Sequence, residues 1–205
     1  MERTRAREQE TYHEHMALSG AHICQIYTSE TERRHAVRDF IGSGLRLGER
    51  TYCINDAPAD AGLEAFLDAQ GLSLSRAEQA GSFIPENSRE FYLKDGSFDH
   101  ERIYRQWAEI YADALARGYP GMRAIAELRP EMEQLGGGNA IILYETKINA
   151  VFQATPPTRV VCQYDARSFS GWTIMGVLKA HPLLLVDRKV CANPYFTPEH
   201  RMSSH

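Results

Sequence analysis

Short apolar segments alternate with amphipathic, helix-periodic stretches along most of this chain, and that alternation confines it to an α/β fold. The apolar segments are "AHICQIY" (21–27), "RTYCIN" (50–55), "MRAIAEL" (122–128), "RVVCQY" (159–164) and "LLLV" (183–186). Between them, apolar residues recur at the 3.6-residue period: Val37, Phe40, Ile41 and Leu45; Ile103, Trp107, Ile110 and Ala114; Ile141, Tyr144, Ile148 and Val151. Strands separated by helices of this length pair in parallel, joined by right-handed crossovers, with helices on both faces. The expected fold is therefore a three-layer α/β domain around a mainly parallel sheet. Ser29 to Glu32 has the S-x-x-E form of a capping box, so Ser29 is expected to cap the first helix. "SREFYL" reads as a short strand and "LGGG" as a loop leading into the helix after it.

The 205 residues suit a single domain with a sizeable core, here placed at 19–198. A polar arm or helix is expected over 1–18 and a tail over 199–205. A net charge of -4 carries no basic surplus, which argues against direct nucleic-acid binding. "MERTRAREQETYHEHM" has no apolar segment of signal-peptide type, and no apolar run approaches bilayer length. We therefore expect a cytoplasmic protein that does not enter membranes, with Cys24, Cys53, Cys162 and Cys191 as thiols; none lies in a C-x-x-C pair.

The turn after the first strand narrows the chemistry. A nucleotide-hydrolysing domain of this layout carries G-x-x-x-x-G-K-[ST] there, and this chain has "YTSETERR", with neither glycine nor lysine. "RVVCQYD" has the look of a Walker B strand ending in Asp165, but without a phosphate loop the β- and γ-phosphates have no seat. ATP hydrolysis is not expected, and the lead expectation is that the chain is not an enzyme.

"FIGSGLRLGERTYCIND", followed by "GLEAFLDAQGL", resembles the corresponding stretch of KaiC/RecA-type ATPases. "HICQIYTSETE", "GLRLGERTYCIND", "LYETKIN", "VVCQYDARSF", "LKAHP" and "NPYFTP", in that order from residue 22 to 198, resemble more specifically the MEDS family, the methanogen/methylotroph DcmR-type sensory domain. That resemblance implies a RecA/KaiC-like sheet with its five strands in the order 5-1-4-3-2. It also implies small-molecule sensing, proposed for simple hydrocarbon derivatives, within a prokaryotic signal-transduction or transcription-regulatory system. Family members are often fused to a DNA-binding or kinase module, so a regulator or kinase is the expected partner. Where the family pattern has a Gly-Glu-Met-Ser-Trp-like segment after the central strand, this chain has "IAELRPEM", keeping Glu127.

On such a sheet, ligands bind beyond the carboxyl ends of the strands. Tyr27, Asp56, Glu127, Tyr164 and Asp165 stand at those ends and form the expected ligand site, suited to a polar ligand or a cation. Asp56 and Asp165 have an equal claim as helix caps. Asp56, on the strand given the edge position, is the outermost member. Glu127 ends an apolar run, where an unpaired carboxylate is costly. His22, Cys24, Cys162 and His181 have zinc-ligand chemistry but lack short metal-ligand spacings, so core packing is the first reading for them. Glu145 and Asn149, four apart in "YETKIN", share a helix face and are read first as structural support. A movable pocket wall is expected at "LGGG". The rival classes are an enzyme on the same scaffold (a metal-dependent hydrolase using Glu127 as base, or an atypical nucleotide-binding protein) and a pure interaction module. The sequence leaves the ligand, any cofactor and the oligomeric state open, a homodimer included.

Overall fold

The computed structural model describes residues 20–155 and 157–198, so the arm expected over 1–18 and the tail over 199–205 lie outside the described residues. Seven strands form one sheet: β1 (Ala21–Tyr27), β2 (Arg50–Asn55), β3 (Phe83–Asn87), β4 (Met122–Glu127), β5 (Thr158–Asp165), β6 (Leu183–Val186) and β7 (Lys189–Ala192). The order is β3-β2-β4-β5-β1-β6-β7. Every pairing is parallel except the β6–β7 hairpin, which turns at Asp187 and Arg188, both with positive φ. The five strands read from sequence stand in the implied order, with β3 added outside β2 and β7 outside β6. Asp56 therefore follows an interior strand and not an edge.

Among the described residues, seven α-helices lie between them, α1 (Glu30–Arg46), α2 (Ala61–Asp68), α3 (Leu74–Gln79), α4 (Ser88–Tyr92), α5 (His100–Ala116), α6 (Glu131–Gln153) and α7 (Gly171–Ala180), with a short 3-10 turn at Lys94–Gly96. Side-chain oxygens of Asp60, Ser73, Asn87, Asp99 and Ser170 accept backbone N–H bonds at helix starts. Ser29 occupies the N-cap position of α1 but makes no side-chain cap bond, so the expected capping box is not formed.

Strand periodicity divides the core. Ile23, Cys53, Ile125 and Val161 pack with Val37 and Ile41 of α1 and Leu63 and Leu67 of α2. Their neighbours Cys24, Ile54, Ala124, Ala126, Val160, Cys162 and Tyr164 face Ile103 and Trp107 of α5, Tyr144 and Ile148 of α6, and Val177 of α7.

Two sequence expectations are corrected. "SREFYL" is not a strand: β3 ends at Asn87, whose side chain caps α4 through Glu90 N at 3.1 Å. "LGGG" is not a loop either, because α6 begins at Glu131 and runs through it. A glycine inside a helix costs about 1 kcal/mol relative to alanine, and at Gly138 close packing is the reason for accepting it. A Cβ there would lie 2.5 Å from Thr173 Oγ1 of α7. Gly176 of α7 answers it from the other side, its absent Cβ 2.1 Å from Ile142 Cδ1. The two helices thus approach too closely for side chains at both points.

Candidate functional site

Two groups of polar residues stand where chemistry could occur, on opposite faces of the sheet. The first lies at the carboxyl ends of the strands. Tyr27 Oη donates to Glu127 Oε1 at 2.7 Å, and Arg33 Nη1 lies 3.5 Å from Glu127 Oε2. Arg33 also pairs with Glu30 at 3.0 Å. Burial and the adjacent Glu127 carboxylate push the Tyr27 phenol far above its usual range. Asp165 accepts from Arg167 Nη2 at 2.7 Å and from Arg167 N at 3.0 Å, and these bonds hold its carboxyl below the usual range. Asp56 pairs with Arg129. Glu127, Asp56 and Asp165 thus each pair with an arginine, although Arg33 is shared with Glu30 and Arg129 with Glu131. The partly open space beside this crevice measures about 10 Å³ and is lined by Arg33, Arg34, Arg38, Asn55 and Asp60, among others. That is room for one water-sized group.

Tyr164, expected in this crevice, is not there. It shares strand parity with Cys162, so it points into the opposite layer, fully buried, where its hydroxyl donates to Glu145 Oε1. Tyr27, Glu127, Asp56 and Asp165 remain at the edge.

Tyr164 leads to the second group. His22 of β1, Cys162 of β5, Glu145 of α6 and His181 at the end of α7 are all buried, and their ligand-type atoms lie within 4.8 Å of one another. His22 Nε2 lies 3.0 Å and His181 Nε2 3.4 Å from Glu145 Oε2; Cys162 Sγ lies 3.4 Å from His22 Nε2. The imidazole centroids are 3.9 Å apart. Of the cysteine pair flagged from sequence, Cys162 belongs to this group. Cys24, its register partner on β1, does not.

The surroundings fix how the imidazoles point. Asn149 Nδ2 faces three backbone oxygens, of Glu145 and Thr146 at 3.1 Å each and of Ala180 at 2.8 Å. Only an amino group serves three acceptors, so Asn149 Oδ1 is the atom facing His22 Nδ1 at 3.0 Å, and Nδ1 carries the proton. His181 Nδ1 faces Val177 O at 2.7 Å and is likewise the donor. Burial lowers the His22 pKa to about 4. Burial, with His22 as neighbour, lowers that of His181 to about 3. Both rings are therefore neutral near pH 7, with Nε2 lone pairs turned toward one point. Burial raises the Glu145 carboxyl and lifts the Cys162 thiol well above its ordinary value, the latter helped by Glu145.

Glu145 was visible in sequence as a partner of Asn149, but its membership of this group was missed. The signal was present: Glu145 sits on the apolar stripe of Ile141, Tyr144, Ile148 and Phe152, where a charge needs a reason.

Among solved structures, the chain is similar to the KaiC-like protein PH0186 of Pyrococcus horikoshii OT3. That likeness has a TM-score of 0.53 at 15% identity, covering 81% of this chain and 70% of that one. It is also similar to the flagellar accessory protein FlaH of Methanocaldococcus jannaschii, with a TM-score of 0.51 at 5% identity, covering 84% and 76%. At these identities the likeness shows the fold, which is KaiC/RecA-like. No curated protein matches the chain. Residues 21–182 match the family described as MEthanogen/methylotroph, DcmR Sensory domain. The match runs from β1 through α7 and takes in both polar groups, and the chain belongs to the MEDS family.

Proposed function

We propose that this chain is a non-catalytic sensory domain that binds a small molecule and passes its bound state to a protein partner, without phosphoryl transfer. The observation that carries this reading is the connection from β1 to α1. Only Thr28 and Ser29 separate them, and the first turn of α1 holds Glu30 and Glu32. A helix N-terminus attracts anions, but two carboxylates there repel a triphosphate. At the end of β1, Tyr27, Glu127 and Arg33 are bonded to one another. The fold of an ATPase is kept while its phosphate seat is replaced by a closed polar clasp.

The ligand site we propose is the carboxyl edge of the sheet, with the clasp as its floor and Asp56 and Asp165 on its rim. Arg34 and Arg38 line the adjoining space beside Asp60 and the already paired Arg33, which favours a small neutral molecule bearing a carbonyl or hydroxyl oxygen. A simple oxygenated hydrocarbon derivative fits that chemistry. With room for one water-sized group, entry requires the start of α1 to shift, and α1 replaces "LGGG" as the movable wall. Such a shift is a signal only if the ligand prefers one state. A regulator or kinase of a prokaryotic signalling system is the partner class this reading takes.

Calorimetry with ATP, and native mass spectrometry of the full chain purified from its own cells, test this. The expected result is no saturable ATP heat and a co-purifying small organic molecule that is not a nucleotide. Saturable ATP binding lost in Arg33→Ala would overturn it.

A further inference from the structure

The buried group on the other face has no part in that reading and stands on its own geometry. We infer that His22 Nε2, His181 Nε2, Cys162 Sγ and Glu145 Oε2 form a four-coordinate site for one divalent transition-metal ion, zinc by ligand type.

Three observations converge on this. The first is spacing: in a tetrahedral zinc site with bonds of about 2.0–2.3 Å, ligand atoms stand roughly 3.3–3.8 Å apart. The contacts of 3.0, 3.4 and 3.4 Å already have that scale, and the remaining separations stay within 4.8 Å.

The second is orientation. Asn149 and Val177 hold each Nδ1 as a donor, the outer-shell arrangement that leaves Nε2 free to ligate. Tyr164 does the same for the carboxylate, binding Oε1 and leaving Oε2 turned inward. Glu145 Oε2 and His181 Nε2 are buried with no hydrogen-bond partner among the described residues. Buried polar atoms left unserved cost roughly 1–3 kcal/mol each, and here two of them face the same point.

The third is charge. One thiolate and one carboxylate with two neutral imidazoles neutralise a divalent cation, so the loaded site buries no net charge. Without a metal, three lone pairs from two histidines and Glu145 meet a single thiol proton, plus one more if Glu145 is a carboxylic acid.

Four protein ligands leave no open position for water, so the site binds and holds rather than catalyses. It joins two neighbouring central strands to α6 and to the end of α7, tying one helical layer to the sheet.

The test uses the full chain. It is unfolded in guanidinium with a chelator, then refolded with zinc, cobalt, nickel or iron(II), or with chelator alone. After gel filtration, we expect one equivalent of metal per chain. The melting temperature should rise by roughly 5–10 °C over the chelated protein when free zinc is a hundredfold above its Kd. The cobalt form should show tetrahedral d–d bands with a thiolate charge-transfer band that Cys162→Ser removes. His181→Gln should lower metal content, while Cys24→Ser should keep it. Sub-stoichiometric content for all four metals, with a melting temperature unmoved by chelator, would overturn the inference in favour of a proton-linked network. An octahedral cobalt spectrum without the charge-transfer band would do the same. The wild-type refolding comparison decides even if the variants do not fold.

Discussion

Glu127→Gln separates a structural clasp from a ligand contact with one atom changed. The substitution keeps the shape of the side chain and removes its charge. Tyr27 then donates to a neutral acceptor in place of a carboxylate, a loss of about 1 kcal/mol, since hydrogen bonds to charged groups contribute roughly 1.5–3 and neutral ones 0.5–1.5. Arg33 loses its partner at 3.5 Å but keeps Glu30 at 3.0 Å. With side-chain exposures of 11% and 20%, that pair is worth at most about 1 kcal/mol after screening. The sum is about 1–2 kcal/mol, or a fall in melting temperature of roughly 2–8 °C for a chain of this size. Tyr27→Phe should cost a comparable amount. The double variant should fall short of additivity by about 1 kcal/mol, because the two share one hydrogen bond. Thermal and urea denaturation followed by circular dichroism give both quantities. An unchanged melting temperature together with a lost ligand or partner response would refute the clasp and make Glu127 a direct ligand contact.

Glu49→Ala should destabilise by about 3 kcal/mol or more: it strips the buried Arg123 of its partner at 2.7 Å and Arg159 of its own; a urea midpoint within error of wild type would contradict this. Gly176→Ala should cost about 1–3 kcal/mol through overpacking against Ile142, and Ile142→Ala in the same chain should recover part of it, as a melting comparison will show. Metal-free protein should lose stability as pH falls from 6.5 toward 4. The folded pKa of His22 is lowered to about 4, so over that window the unfolded chain binds more protons, by up to about 3 kcal/mol for this group. His181 acts in the same direction, whereas Glu145, raised by burial, opposes them. Urea midpoints across that range, set against His22→Gln, measure the balance, and a midpoint that rises on acidification would contradict it.

The layer architecture was legible because strands and helices differ in period, and β1, β2, β4, β5 and β6 fell where alternation put them. "SREFYL" misled because a short amphipathic stretch of six residues satisfies both periods, and the Asn87 cap decides for helix. "LGGG" misled because glycine's helix penalty is visible in sequence while the approach of Thr173 to Gly138 is not. Tyr164 was a misreading of information already present: it stands two residues after Cys162, so strand parity sends both to the same face, opposite to Tyr27. The arginines that pair with the crevice carboxylates could not be assigned in advance, since Arg33, Arg129 and Arg167 reach them from three different connections. Glu145 joined His22, Cys162 and His181 only once the crossovers were closed, being far from all three in sequence yet on the one stripe where carboxylates are rare.

The two flanks of the sheet bear on how copies of this chain can meet. At one flank β3 reads "FIPEN", where Pro85 offers no N–H and Glu86 adds a charge. At the other, β7 is a four-residue strand beginning with the exposed Lys189, reached through a tight turn from β6. Short, charged or proline-bearing borders discourage the addition of a strand from a neighbouring molecule. Growth of the sheet from chain to chain is thereby disfavoured at both ends. Among the described residues, the helical surfaces offer an alternative contact, with Leu143 of α6 and Trp172 and Met175 of α7 exposed.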